Sequence, residues 1–283
     1  MRWTNVFRGF VMGIVELIPG VSSGTIALLL GIYEQLLSSI KGIVHKQFKS
    51  SMRFLVPLVI GMGLAMVTLS GVITYFLEEH PIPTQWMFIG LVVGIVPMLW
   101  RLARVKETFK IPHVAALLIT LGLLIVMSFI TPNELVSQPD INMSLLIQLF
   151  FAGLLAAMTL LLPGISGSLA LLILGYYYII IAAIDDLTSL NLSGLPILIA
   201  TGLGILVGLY IGSVVITYLL SRFTYITYAA VMGLVIGSVF SIYPGLPTSL
   251  SMTVITFVML IAGFLVSYIM GRAGEKEARS HND

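Results

Sequence analysis

The sequence has no cysteine and very little charge. Without cysteine, neither a disulfide nor a thiolate metal site can hold the chain together. Only 9% of its 283 residues are charged while 58% are apolar, at a mean hydropathy of +1.09, whereas an ordinary soluble domain carries about 25% charged residues. The four histidines, His45, His80, His113 and His281, are scattered singly, so no metal site is expected, and no nucleotide-binding motif provides for ATP. No cofactor and no nucleic-acid partner are expected either. Together these shortages exclude a soluble fold and leave lipid as the solvent for most side chains.

The apolar residues fall into about ten blocks: 5–18, 22–40, 54–77, 85–100 and 112–130, then 145–162, 166–184, 195–220, 224–243 and 250–270. Most approach the ~20 residues a spanning helix needs. Arg2 and Arg8 stand at the front, ahead of an apolar stretch, in the manner of a signal peptide. Glu16, Pro19 and Gly20 interrupt it, no small-residue cleavage site follows, and the segment is expected to stay.

An internal repeat organises these blocks. Leu17-Ile18-Pro19-Gly20-Val21-Ser22 returns as Leu161-Leu162-Pro163-Gly164-Ile165-Ser166 at an offset of 144, and at that offset Gly9 meets Gly153, Gly31 meets Gly175 and Tyr33 meets Tyr177. Further on, Gly90-Leu91-Val92-Val93-Gly94 answers Gly233-Leu234-Val235-Ile236-Gly237 at an offset of 143.

Lysine and arginine collect on cytoplasmic loops. All 14 basic residues follow the second, fourth, eighth and tenth blocks or stand at the N-terminal front, as Arg2 and Arg8 do, while Glu78, Glu79, Glu134, Asp140, Asp185 and Asp186 occupy the other connections. The first half therefore starts inside and the second outside, with an odd number of crossings between them. Either all five blocks of each half cross, or three cross and the first two form a re-entrant hairpin; a single broken span from each pair would put basic loops outside. Pro19-Gly20 and Pro163-Gly164 break the helix within apolar sequence, which favours the hairpin, since irregular backbone at that depth must be buried in protein or face a water-filled cavity. The expected fold is an all-α polytopic membrane protein of two inverted-topology repeats, residues 1–132 and 133–283. Each is a re-entrant helical hairpin plus three transmembrane helices, with both termini cytoplasmic.

Inverted repeats bring two such breaks together near the midplane. One reads Gly20-Val21-Ser22-Ser23-Gly24-Thr25, the other Gly164-Ile165-Ser166-Gly167-Ser168. A serine cap, unpaired first-turn N–H groups and the helix dipole together suit an anion. The candidate phosphate-binding residues are therefore Gly20, Ser22, Ser23, Gly24, Thr25, Gly164, Ser166, Gly167 and Ser168. By donors alone, phosphate, carboxylate and chloride fit equally.

Glu16 lies inside the first block, three residues before Pro19, and its counterpart is Leu160. Desolvation favours a protonated carboxyl, so Glu16 is the candidate for proton coupling or gating; pairing with Arg8 to fix the hairpin is the plainer role. Arg8 and Arg53, at block edges, are candidate head-group contacts, though snorkelling accounts for them equally. Tyr33, Tyr176, Tyr177 and Tyr178 read as interfacial anchors.

The stretch from Arg8-Gly9-Phe10 to Glu16 and the doubled Pro-Gly-Val/Ile-Ser pattern resemble the polyprenyl-phosphate translocases, PopT-type, over nearly the whole chain. The resemblance implies movement of undecaprenyl phosphate from the outer to the inner leaflet of a bacterial cytoplasmic membrane, recycling the carrier of cell-wall and surface polysaccharide synthesis. The expected partners are that lipid and the surrounding membrane lipids; no oligomeric state is read from it. Two other classes share parts of the pattern. Undecaprenyl-pyrophosphate phosphatases also pair inverted repeats with re-entrant hairpins, but the tips here lack the arginine, histidine and second acid that phosphoryl transfer needs. A transporter of small soluble anions would use the same donors.

Overall fold

The computed structural model describes residues 4–17, 22–44, 47–129, 141–188 and 191–280, with backbone alone at 185, 188 and 273–280. Pro19 and Gly20, and the junction between residues 132 and 133, lie outside the described residues. The described residues form helices and no strand.

The first half contains α1 (Thr4–Glu16), α2 (Ser23–Leu29), α3 (Tyr33–Gly42), α4 (Phe48–Glu79), α5 (Pro81–Leu102), α6 (Val105–Thr108) and α7 (Ile111–Ser128). The second contains α8 (Met143–Leu161), α9 (Gly167–Ile173), α10 (Tyr177–Thr188), α11 (Leu195–Arg222), α12 (Thr224–Ile242) and α13 (Leu250–Ser280), with one 3-10 turn before α11. Among the described residues, seven helices are long and apolar enough to cross a membrane, or up to nine if each bent pair counts as one span. This is a multi-pass membrane protein.

Among the described residues the ten blocks become thirteen α-helices, for a local reason. The blocks 22–40 and 166–184 are not single helices: α2 meets α3 at 118° and α9 meets α10 at 113°. Gly31 and Gly175, with φ of 68° and 81°, sit in those bends and take the left-handed conformation that other L-residues avoid. Arg104 at φ 46° sets off the short α6, which no apolar pattern announces, and α13 runs ten residues past the apolar block that ends at 270. At 13 residues α1 is about 20 Å long, too short for a ~30 Å hydrocarbon core.

Packing is organised in close helix pairs. In α1 against α4, Gly9 lies on the Leu58 carbonyl; in α8 against α11, its repeat counterpart Gly153 lies on the Thr201 carbonyl. The other two pairs join the halves: α13 packs on α5, where Gly90 meets Leu260 and Gly263 meets Met87, and α7 packs on α12, where Gly233 meets Leu117. Lipid gives no hydrophobic drive for association, so backbones brought together by small residues supply it through van der Waals contact. Each half thus gives its last long helix to the other.

The largest buried cluster joins α2 and α3, through Leu28, Leu29, Ile32 and Leu36, to Phe88, Val92 and Ile95 of α5 and Met232 and Val235 of α12. Large apolar side chains also face outward, such as Val67 at 83% and Ile111 at 85% exposed, as lipid contact requires. The two hairpins differ in depth. All seven residues of α2 are buried, whereas α9 buries only Gly167 and Ala170.

Candidate functional site

The two tips meet. The Ser22 hydroxyl faces the carbonyls of Leu162 at 3.2 Å and Leu160 at 3.4 Å, at the end of α8. Thr25 takes a hydrogen bond at 2.8 Å from the Gly164 N–H, and the Tyr33 hydroxyl donates to the Leu161 carbonyl at 2.7 Å. Residues 138 to 140 positions apart in sequence are thereby brought into contact. Gly164 holds φ at 95° with its Cα side against the backbone of Leu234 and Val235, so a side chain there would be strained and would collide with α12.

Each tip starts a helix. Ser22 is extended and caps α2 by accepting from the Gly24 N–H at 3.2 Å. Ser166 holds the same extended backbone but does not cap α9; its hydroxyl lies 2.7 Å from that of Ser168. Both helices have only seven residues, so their macrodipoles are small and the tips present mainly hydroxyl and N–H groups.

Glu16 lies beside Ser23 of the first tip, and its Oε1 is buried without a hydrogen-bond partner among the described residues. Of the five hydroxyls nominated from the sequence, four have hydrogen-bond partners on the protein: Ser22 with α8 carbonyls, Thr25 with Gly164, and Ser166 with Ser168. Of these side chains Ser168 is the exposed one, while Ser22, Ser23, Thr25 and Ser166 are buried. Two paired hydroxyls use one proton between them, which leaves Ser166 and Ser168 one O–H to donate outward.

The structure brings Ser22, Gly24 and Thr25 of the first tip against Gly164 and the Leu160, Leu161 and Leu162 carbonyls of the second, while Ser166 and Ser168 pair with each other and Gly167 lies against Ala156 and Leu160. Gly20 lies outside the described residues. Arg8 is on α1 with Asn5, whose side-chain oxygen it reaches at 2.9 Å. Arg53 is exposed near the start of α4 and is not hydrogen-bonded to either tip among the described residues. Among the described residues no group of three His, Cys, Asp or Glu could hold a metal ion.

Sequence reasoning missed three residues and misassigned one. Gly31 and Gly175 fall in the repeat but were matched only as repeats, although a paired Leu-Gly-x-Tyr is a bend signal. Tyr33 is no interfacial anchor: it is 3% exposed and bonded to the opposite hairpin. Tyr178, at 48% exposed, fits the anchoring role better. Asn5 carried no signal, since an asparagine near a helix start reads as a cap.

The family described as undecaprenyl phosphate translocase-like matches residues 12–257. A protein of Staphylococcus aureus named polyprenyl-phosphate transporter is 43% identical over 273 residues, covering 96% of this chain and 96% of its own length. One of Vibrio cholerae with the same name is 30% identical over 254 residues, covering 85% of this chain and 77% of its own. No solved structure matches.

Proposed function

Because the chain belongs to the undecaprenyl phosphate translocase-like family, we propose that it transports a polyprenyl phosphate, passing the phosphate between leaflets while the prenyl tail stays in lipid. The observation that carries this reading is the contact of the two tips, Ser22 and Thr25 against Leu162 and Gly164. A bare phosphate in hydrocarbon is prohibitively costly, and fixed hydroxyl and N–H donors at the meeting point replace its lost hydration. The relatives are named as transporters and not as enzymes, and this chain is read the same way.

The lipid is undecaprenyl phosphate, taken from the outer and returned to the inner leaflet of a bacterial cytoplasmic membrane for reuse in cell-wall and surface polysaccharide synthesis. The Ser166–Ser168 pair, whose Ser168 is exposed and which sits on the hairpin that the charge pattern puts outside, receives the phosphate first. The buried Ser22, Ser23 and Thr25 receive it next, once the tips part. Residues 1–132 and 133–283 rock against each other as inverted repeats, with both termini cytoplasmic. Glu16 yields Ser23 to the phosphate and takes up a proton as it does so, which would couple transfer to the proton gradient.

Purified protein in liposomes should move labelled undecaprenyl phosphate between leaflets. The triple variant Ser22→Ala, Ser166→Ala, Glu16→Gln should not; its normal transfer would sink the site assignment. Uptake of a soluble anion without lipid movement would favour a small-anion carrier, and release of phosphate from the pyrophosphate lipid an enzyme. Indifference to an imposed pH gradient would remove Glu16 from coupling.

A further inference from the structure

The face of α1 below the first tip is polar where the matching face of α8 is not. Positions 5, 8, 12 and 16 fall on one face of a helix with 3.6 residues per turn. In α1 these are Asn5, Arg8, Met12 and Glu16; at the repeat offset α8 carries Leu149, Ala152, Ala156 and Leu160. Asn5 is 1% exposed and Leu149 is 0% exposed. A leucine therefore fills this position in one half, and an asparagine buried there in the other incurs a desolvation cost that leucine avoids. The cost is offset by one visible contact, the hydrogen bond at 2.9 Å from Arg8 Nη1 to Asn5 Oδ1.

We propose that Arg8, oriented by Asn5, is a second phosphate station on the cytoplasmic side of the tips, and that Asn5 is its positioning residue. The proposal rests on the transport reading above and concerns where the phosphate goes after the tips. Arg8 lies eight residues before Glu16, about 12 Å along the helix, a step a phosphate can make while its tail remains in lipid. Ser22, Ser23 and Thr25 offer neutral donors, adequate to hold a phosphate but with no full charge to draw it on. A guanidinium does draw it, and its forked donors match the geometry of a phosphate monoester. Left loose, a long arginine side chain would snorkel to the nearest water; the buried Asn5 oxygen holds it on the face that leads to Glu16. With Ala152 in the matching place, the second half has no such station, which makes the polar path one-sided.

The absence of cysteine makes a clean test, because Arg8→Cys introduces the sole thiol. Transfer of labelled undecaprenyl phosphate in liposomes should fall at least about tenfold in Arg8→Cys, the loss of a charge-assisted contact. A methanethiosulfonate that appends an ammonium should restore much of it, and one that appends a sulfonate should restore none. Arg8→Lys should keep more activity than Arg8→Cys, and Asn5→Leu should raise the half-saturating lipid concentration with a smaller change in maximal rate. The ammonium rescue is a readout that a merely structural arginine would not give. Equal recovery with both reagents, or full transfer in both Arg8→Cys and Asn5→Leu, would overturn the station. Were the wild-type protein itself to move no lipid, the transport reading would fail instead, so the two failures are distinct.

Discussion

The Thr25 hydroxyl accepts a hydrogen bond from the Gly164 N–H at 2.8 Å, so a side chain of the first hairpin satisfies the backbone of the second at its tightest point. Gly164 needs this partner, because its φ of 95° turns the chain just before α9 starts. Thr25 is 1% exposed, so this hydrogen bond lies away from solvent. The same two groups are among those proposed above for the phosphate. On that proposal the tips hold each other by the groups that would receive the ligand, and parting them would free both.

Thr25→Val tests this double use. Valine keeps the shape and removes the acceptor, leaving a buried N–H unsatisfied at a cost of about 1–3 kcal/mol. Thermal unfolding in detergent should show the loss, and leaflet transfer should fall with it. A Thr25→Val protein of normal stability would mean that Gly164 finds another partner.

Ser22→Ala and Ser166→Ala should differ although the repeat makes them equivalents. Ser22 caps α2 and also holds the α8 carbonyls, so its loss should lower stability by about 1 kcal/mol or more along with the rate. Ser166 caps nothing and pairs only with Ser168 among the contacts described, so its loss should slow transfer with a smaller shift in unfolding temperature. Equal destabilisation by the two would contradict the asymmetry of the tips.

Much of this asymmetry was invisible in the sequence, and the reason is physical. Composition and block length reveal the membrane class because lipid exposure acts on every outward side chain, from Val67 to Ile111. The doubled Pro-Gly-x-Ser pattern marks the tips because backbone breaks need particular residues. Which hydroxyl bonds to which carbonyl depends on contacts between halves, such as Ser22 with Leu162, and no local pattern encodes them. Asn5 shows the limit clearly: its burial against 1% exposure is a tertiary fact, and only comparison with Leu149 gives it meaning.

Gly31→Ala and Gly175→Ala should each cost about 1–2 kcal/mol, because alanine resists the left-handed backbone at φ 68° and 81°. The consequences should differ. The bend at Gly31 sets α3 within the largest core cluster, where Ile32, Tyr33 and Leu36 are buried, while α10 after Gly175 packs in a smaller one. Gly31→Ala should therefore impair folding yield more than Gly175→Ala, as read by the monodisperse fraction after purification. The reverse order would show that the second bend carries more of the structure than its burial indicates.

Tyr33→Phe separates a bond that holds the tips from one that also handles phosphate. The Tyr33 hydroxyl donates to the Leu161 carbonyl at 2.7 Å from a side chain 3% exposed, and phenylalanine removes that bond while keeping the ring in place. The lost hydrogen bond should cost about 1 kcal/mol of stability. If Tyr33 only fastens the tips, transfer should change by less than the factor of about five that such an energy represents, and weaker fastening could even raise the rate where parting is slow. Thr25→Val, which removes a cross-tip bond of similar length from a candidate phosphate ligand, should lose transfer far more severely. A folded Tyr33→Phe protein with transfer abolished would make the tyrosine hydroxyl a phosphate ligand in its own right and move the centre of the site from the start of α2 toward the start of α3.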